Sequence, residues 1–506
     1  MHPRLTWFFL VTLVLVMAQA GCVASGPAVP QDTLVVGLAG NAWGSFDPFL
    51  AQDQATRDVL ANIFEPLVRP NPSGQLAPLL AEKWQQVDPL TWEFTLRSGV
   101  VFQDRTPLTP VDVVFSIQRA KATGSQGVFG STLAPIVSVT AAGQVIRIVT
   151  DKPYPLLPAA LTQVPVVSAK HYESGGQAPS PIGTGPFRFS GYTATTAELE
   201  RWHGYWNEAG VTPSDVRRVV FKLIPDAAAR EAGLAEGTLQ IVQGVPPQDA
   251  AGLKNRGLQL TTVPGTMMYM IELNTMKPPL DRPEARRALN YAIDYDEVIR
   301  KLYGGLGVRL AGPLVPGSLG ETGQREPYPH DPNLARSLWQ QAGGSGTVLV
   351  IDTLPEREAE AELIVDMLAA AGIDARVQVW ASPSELRQAI AAGERMAYLT
   401  QWGEASLDPY EVLVPKLRTG GLYNFSFYAN RQVDDLIDEA TVSTDQSHRA
   451  DLYAQAEGQI IQDAPWVFGY VVTACEAAAP DVQGYQPRRD GLVLLAGVSR
   501  KTLGQR

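Results

Sequence analysis

Residues 399–428, LTQWGEASLDPYEVLVPKLRTGGLYNFSFY, decide how the rest of the chain is read. The stretch opens on the end of an apolar run, residues 396–399 (MAYL), whose composition predicts a buried strand. The run stops at Trp402-Gly403, and a loop then carries Glu404 and Asp408 into Pro409. Ligands of open α/β sheets sit beyond the carboxyl ends of the strands, so a site is expected in this loop. An aromatic wall at Trp402, an acid at Asp408 and an amide at Asn424 fall within a few loop turns. That set suits a solute with an ammonium group and an extended, amide-bearing body. It reads as part of a two-lobed solute receptor that closes on its ligand and does no chemistry.

Upstream of this stretch the pattern is β–α–β–α: a strand at 347–351, a helix at 356–371, a strand at 375–380 and a helix at 383–391. Downstream, helices are predicted near 430–443 and 447–462, then a strand at 468–473 in a tail expected to return to the first lobe. At the other end, residues 33–38 (TLVVGL) read as the first strand of a parallel sheet, with a loop at 40–49 and a helix at 53–64 after it. From Pro70 the texture changes to alternating strands, as at 92–96 (WEFTL), and to a helix opened by Thr109-Pro110-Val111-Asp112. Residues 71–182 are read as a small α+β insertion, closed by the Gly- and Pro-rich crossing at 181–187 (PIGTGPF). That crossing is structural: no Lys follows it, and Pro186 lacks the N–H that a phosphate cradle would use. A second lobe begins near Met270.

At 506 residues the chain is too long for one core, and length alone predicts roughly three domains. Hydrophobic residues at 45% and charged residues at 18% describe an ordinary globular protein. The formal net charge is −11 with no basic stripe, which argues against nucleic acid as a partner. At the front, residues 5–18 (LTWFFLVTLVLVMA) follow a lone early cation, Arg4, and are too short to span a bilayer comfortably. Residues 1–21 are therefore read as a secretory signal and 22–31 as a short tether. Ala20-Gly21-Cys22 is similar to the bacterial lipoprotein cleavage box, although Gln19 stands where that box has Leu. Cys22 is expected to be the lipid-bearing first residue of the mature protein, with ordinary cleavage nearby as the alternative. The only other cysteine, Cys475, is read as a small buried hydrophobe, which leaves no disulfide and no zinc spacing.

Several short motifs then occur in order. They are IFEPLV at 63–68, LAPLLAEKW at 76–84, FTLRSGV at 94–100, DVVFS at 112–116 and GTGPF at 183–187. After them come Leu273-Asn274, ALNYAID at 288–294, Asp331-Pro332, NFS at 424–426, DDL at 434–436 and DAPW at 463–466. Taken together, from about residue 33 to 490, they resemble the peptide/nickel (family 5) solute-binding proteins of ABC transporters. The resemblance implies an α/β fold of the periplasmic-binding-protein type II kind, with two lobes, a cleft and an extra α+β subdomain in lobe one. Domain I would comprise 32–70, 183–270 and 475–506, domain II 71–182, and domain III 271–474, with crossovers near 270 and 475 as the hinge. It further implies capture of peptides or peptide-like solutes and delivery to a permease driven by ATPase subunits. The protein would be a monomer held outside the cytoplasm on the cell membrane by its lipid.

In peptide-binding members an acid of this loop accepts the ligand's α-ammonium, which makes Asp408 the central candidate. Asp408-Pro409-Tyr410-Glu411 is also a helix start, with Asp as cap and Pro at the first position. Trp402 would pack against the ligand, or else close the strand end as a core residue. Asn424 would bond a ligand amide, or else serve the turn that contains it. Arg357, in the loop where dipeptide-binding members carry an arginine, would take a carboxylate; its neighbours Glu356, Glu358 and Glu360 suggest a solvated helix start instead. Asn41, Trp43 and Phe46 after the first strand, with Tyr269 near the hinge, would form the opposing wall.

No cofactor is expected. The five histidines are scattered outside 402–428, so a direct metal role is disfavoured, although a nickel chelate, a glutathione-like compound or an oligosaccharide stays open as the ligand. A sensor or chaperone-like role needs the same cleft. A secreted hydrolase is the rival of another class, against which stands the lack of an H-E-x-x-H or G-x-S-x-G motif.

Overall fold

Strand Thr33–Leu38 is buried along its whole length and lies parallel to Arg218–Leu223 on one side and Ile241–Val242 on the other. A continuous apolar run is what a parallel strand covered on both faces requires. The computed structural model describes residues 29–123, 132–173, 181–208 and 214–501. The predicted signal, Cys22 and most of the tether lie outside them.

Among the described residues this first strand belongs to an 11-stranded mixed sheet. From edge to edge it runs Ala375–Val379, Leu349–Thr353, Ala397–Gly403, Gln259–Leu273, Trp466–Ala478, Ile241–Val242, Thr33–Leu38, Arg218–Leu223, Thr196–Arg201 and Phe187–Tyr192. Gly307–Arg309 adds to Trp466–Ala478 off this path. The α/β character with two packing regions agrees with the expected class. One core draws on residues from Leu34 to Leu258 and again from Cys475 to Val498. The other region holds three clusters on residues between Met268 and Val471.

Two long antiparallel strands, Gln259–Leu273 and Trp466–Ala478, join these regions. They pair with each other from Gln259 opposite Ala478 to Glu272 opposite Trp466. At one end Trp466–Ala478 pairs with Ile241–Val242, and at the other Gln259–Leu273 pairs with Ala397–Gly403. The ladder is irregular between Pro264 and Met268 and again between Tyr269 and Met270. An irregularity of this kind bends a strand and raises its local twist. Within it, a Cβ on Gly265 would stand 2.6 Å from the Val472 carbonyl oxygen, so the close approach of the two backbones needs glycine.

The section after Pro70 carries a four-stranded antiparallel sheet, ordered Ala81–Asp88, Thr91–Leu96, Val145–Thr150 and Ile136–Ala142. Helix Pro110–Ala122 packs on it, its start closed by a capping box between Thr109 and Asp112. The crossing at 181–187 is a packed seam. A Cβ on Gly183 would lie 2.0 Å from the Ile63 carbonyl oxygen. The Gln103 side chain spans the crossing, donating to the carbonyls of Gly185 (3.0 Å) and Phe187 (2.7 Å). Buried Glu65 accepts from the Thr184 hydroxyl (2.7 Å), the Tyr205 hydroxyl (2.8 Å) and the Trp206 indole N–H (2.7 Å).

Candidate functional site

Strand Ala397–Gly403 ends against the long strand Gln259–Leu273, with Gly403 opposite Met267. The chain then turns into the loop that holds Glu404, Ala405, Ser406 and Asp408. Glu404 anchors it from beneath: fully buried, it accepts from the Ser318 hydroxyl and from the Val315 N–H (3.1 Å). Burial pushes its carboxyl pKa up to about 8, further than those two bonds pull it down. The loop thus presents Ala405 and Ser406 outward, toward the first packing region.

A cleft lies between them. One chamber of about 240 Å³ is lined by Gln54, Arg57, Arg69, Gln163, Ala405 and Arg489, among others. An adjoining chamber of about 140 Å³ is lined by Tyr154, Leu156, Gln163, Ala405, Ser406 and Glu411, among others. The chambers share Pro70, Thr162, Gln163 and Ala405, so they form one continuous groove. Its walls touch where the Tyr154 ring meets the Tyr410 ring at 6.3 Å and where Gly74 backs onto Leu407. Glu411 accepts from the Ser406 N–H (2.9 Å) and hydroxyl (2.8 Å), and burial raises its pKa. Arg489 reaches the groove from the returning tail and donates to the carbonyls of Pro316 (2.6 Å) and Pro264 (3.2 Å).

The structure gives most of the sequence-predicted residues partners inside the protein. Asp408 accepts from Arg449 Nη2 at 3.0 Å on Oδ1 and 2.8 Å on Oδ2, and from the Tyr410 N–H at 3.1 Å. Both side chains of this ion pair are largely buried, 4% exposed for Arg449 and 13% for Asp408. A carboxylate offers about four acceptor sites, and three are taken, with the charge already neutralised by a guanidinium. In this structure Asp408 holds the Arg449 side chain and starts the helix Tyr410–Lys416. Asn424 is a turn residue: its amide donates to the carbonyls of Arg418 and Tyr428 and its oxygen accepts from Ser426 and the Tyr428 N–H. All four of its bonding sites are used within the protein.

Arg357 makes a two-point pair with Glu360 (2.8 Å each), donates to the Thr400 carbonyl (2.7 Å) and lies 5.1 Å over the Tyr269 ring. The predicted Arg357 and Tyr269 are thus brought together, but neither lines the two chambers, and Arg357 is paired with Glu360. Trp402 is half-buried. Its indole donates to the Glu411 carbonyl (2.9 Å), its ring meets Tyr423 at 5.3 Å, and Lys416 Nζ sits 5.0 Å over it. On the other side Phe46 is buried among Trp43, Phe189 and Tyr192, while Asn41 is exposed. None of these three lines the groove.

Sequence reasoning did not single out the groove-lining Arg57, Arg69, Ser406, Glu411 and Arg489. Ser406 and Glu411 stood in the stretch singled out, where the place of Glu411 at a helix start hid the bond between them. Among the described residues no group of three His, Cys, Asp or Glu could hold a metal ion. None of the described helices is long and apolar enough to cross a membrane.

Asp408→Asn tests the local assignment. Weakening a buried charge-assisted pair is expected to lower stability by about 1.5–3 kcal/mol in urea unfolding. Calorimetric affinity for a free-amine tripeptide should change by less than about threefold. A loss of about tenfold or more would return the ammonium to this carboxylate.

Residues 75–424 match the family described as bacterial extracellular solute-binding proteins, family 5. The glutathione-binding protein GsiB of Pectobacterium atrosepticum is 27% identical over 95% of this chain and 96% of its own length. Heme-binding protein A of Haemophilus influenzae is 31% identical, covering 84% of each chain. Among solved structures, the unliganded open form of the murein tripeptide-binding protein MppA superimposes with a TM-score of 0.85 at 22% identity, over 94% of this chain and 98% of that one.

Proposed function

Since this chain belongs to the family 5 bacterial extracellular solute-binding proteins of ABC transporters, we propose that it captures peptides or peptide-like solutes in its cleft and hands them to a membrane permease. The family binds solutes and is not enzymatic, so the hydrolase alternative falls with the family assignment. One observation carries the proposal: an open groove runs between two separately packed regions that are joined by a pair of paired strands. A solute touching both walls favours the closed arrangement, and closure is the signal a permease can read. The moving bodies are proposed as 32–70, 183–270 and 475–506 with the insertion 71–182 on one side, and 271–474 on the other. The protein is proposed to act as a monomer, tethered outside the cytoplasm through a lipid on Cys22.

The relatives bind glutathione, heme and a murein tripeptide by name, so kinship selects no single solute. Glutathione and the tripeptide share a peptide-like skeleton with carboxylates, which is why that class is placed first. A melting screen of the mature protein against short peptides, glutathione, oligosaccharides and nickel chelates tests this. A solute at a hundredfold over its Kd should stabilise the protein by about 2.7 kcal/mol. If no peptide or glutathione moves the transition while an oligosaccharide does, the peptide-like assignment fails.

A further inference from the structure

We propose that the larger chamber is an anion site that makes the cleft selective for acidic solutes, whose anionic group is held between Arg57 of the first lobe and Arg489 of the returning tail. The inference rests on the binding role proposed above and names the solute class for that same groove.

Charge is the first argument. Three guanidinium groups, from Arg57, Arg69 and Arg489, line one chamber. Its acid, Asp490, is already held by Arg488 through Nε to Oδ1 (3.0 Å) and Nη2 to Oδ2 (2.5 Å). In the neighbouring chamber Glu411 is engaged by Ser406 and its charge is disfavoured by burial. Around this groove, therefore, a solute meets unneutralised positive charge, and a cationic solute would meet repulsion.

The second argument is that two of these cations make no ion pair. Arg57 donates from Nη2 to the neutral Gln54 side chain (2.7 Å), and its Nε is buried with no acceptor. The next residue, Asp58, is fully buried, accepting from Gln54 Nε2 and the Val493 N–H. Arg489 finds only carbonyl oxygens, those of Pro264, Pro316 and Gly265. Among the described residues neither Arg57 nor Arg489 is within ion-pair distance of a carboxylate. Burial works against the Arg489 charge and moves its pKa down. The pull of Glu404 on Arg489 is weaker than that burial effect. A partly desolvated cation with no carboxylate in ion-pair contact gains when an anion arrives, and a guanidinium fork matches a carboxylate at two points. Arg69 is satisfied differently, by the carbonyls of Ala61 and Phe64 with Glu65 close by, and contributes field more than contact.

The third argument is position. Arg57 stands on the helix Gln54–Leu60 of lobe one. Arg489 is bonded to Pro264 and Gly265 in the irregular stretch of the hinge strand and to Pro316 of the other lobe. An anion shared by Arg57 and Arg489 would therefore tie solute charge to the arrangement of the two lobes.

The experiment compares the tripeptides Ala-Glu-Ala and Ala-Gln-Ala, with citrate as a non-peptide anion, by calorimetric titration of the mature protein and of Arg57→Gln. Arg489→Gln serves as a second variant, and circular dichroism melts confirm that both fold. The expected result is at least about tenfold tighter binding of Ala-Glu-Ala than of Ala-Gln-Ala, falling below about threefold in Arg57→Gln. Equal affinities in the unmodified protein, or a preference that survives both substitutions, overturn the inference and leave the peptide-binding role standing. Citrate binding that drops about tenfold in Arg57→Gln, with neither tripeptide bound, supports the anion site and removes the peptide. Binding of none of the three overturns both.

Discussion

Lys416→Met is expected to lower the free energy of unfolding by about 3–5 kcal/mol, measured by urea denaturation. Lys416 and Glu272 form an ion pair whose side chains are 3% and 0% exposed. The ammonium group also sits 5.0 Å over the Trp402 ring and 5.7 Å over that of Phe425. Glu272 lies on the long strand opposite Tyr398, whose hydroxyl pKa is raised by burial and then by Glu272 itself. Removing the cation leaves a carboxylate in the core with no counter-charge, which is the costly way to break such a pair. Removing both charges is a different matter. The double variant Glu272→Leu/Lys416→Met should regain most of the loss or exceed the parent, since apolar replacements of buried pairs range from neutral to about 4 kcal/mol stabilising. If the single variant loses less than about 1 kcal/mol, water reaches the pair and the burial argument is wrong.

The second large effect is on pH. Glu404 holds its proton in the folded protein up to about pH 8, against an ordinary value of 4.5. Between those values the folded state binds more protons than the unfolded chain, so stability is fully present below about 4.5 and declines as pH rises through 8. Glu457 and Glu476, each raised to about 7 chiefly by burial, act in the same direction. At about 1.4 kcal/mol per pKa unit, Glu404 alone contributes a decline of a few kcal/mol between pH 5 and 8. Urea midpoints taken across that range should therefore fall with pH. Glu404→Gln keeps groups able to bond Ser318 and Val315, and it should flatten the slope. A parent protein whose midpoint rises from pH 5 to 8 would contradict the burial of Glu404.

Much of the frame was readable because its motifs are scaffold parts with local signatures. Glu65 of IFEPLV gathers Thr184, Tyr205 and Trp206. Asn290 of ALNYAID donates to the Trp466 carbonyl (2.9 Å) and accepts from the Phe468 N–H (3.0 Å). Asp463 of DAPW accepts from the Tyr428 hydroxyl and the Asn430 side chain. These residues lock one segment to another, so they identify the architecture and are silent about the solute. The same cause explains Asn424, whose motif was legible while its purpose was read outward. Less of the sheet could be seen where strands are wet. Gln259–Leu273 is buried mainly in its last residues, so only the end near Met270 announced itself.

The site was the least legible part. Asp408 looked free because its partner, Arg449, arrives from the helix Gln446–Asp463, and no local spacing foretells that approach. The groove's positive charge comes from Arg57 near one end of the chain and Arg489 near the other. A search confined to one strand end finds the acid and misses both cations. Only the return of the tail puts them on one chamber.

The ladder between Gln259–Leu273 and Trp466–Ala478 has a mechanical corollary. Lobes joined by two continuous strands can move by torsion at the irregular stretch between Pro264 and Met268, so no ladder bond on either side of it need open and re-form on each cycle. Amides along the ladder should then exchange slowly with deuterium in empty and loaded protein alike. A pair of dyes on opposite lips would report each capture, while the ladder itself stays spectroscopically quiet.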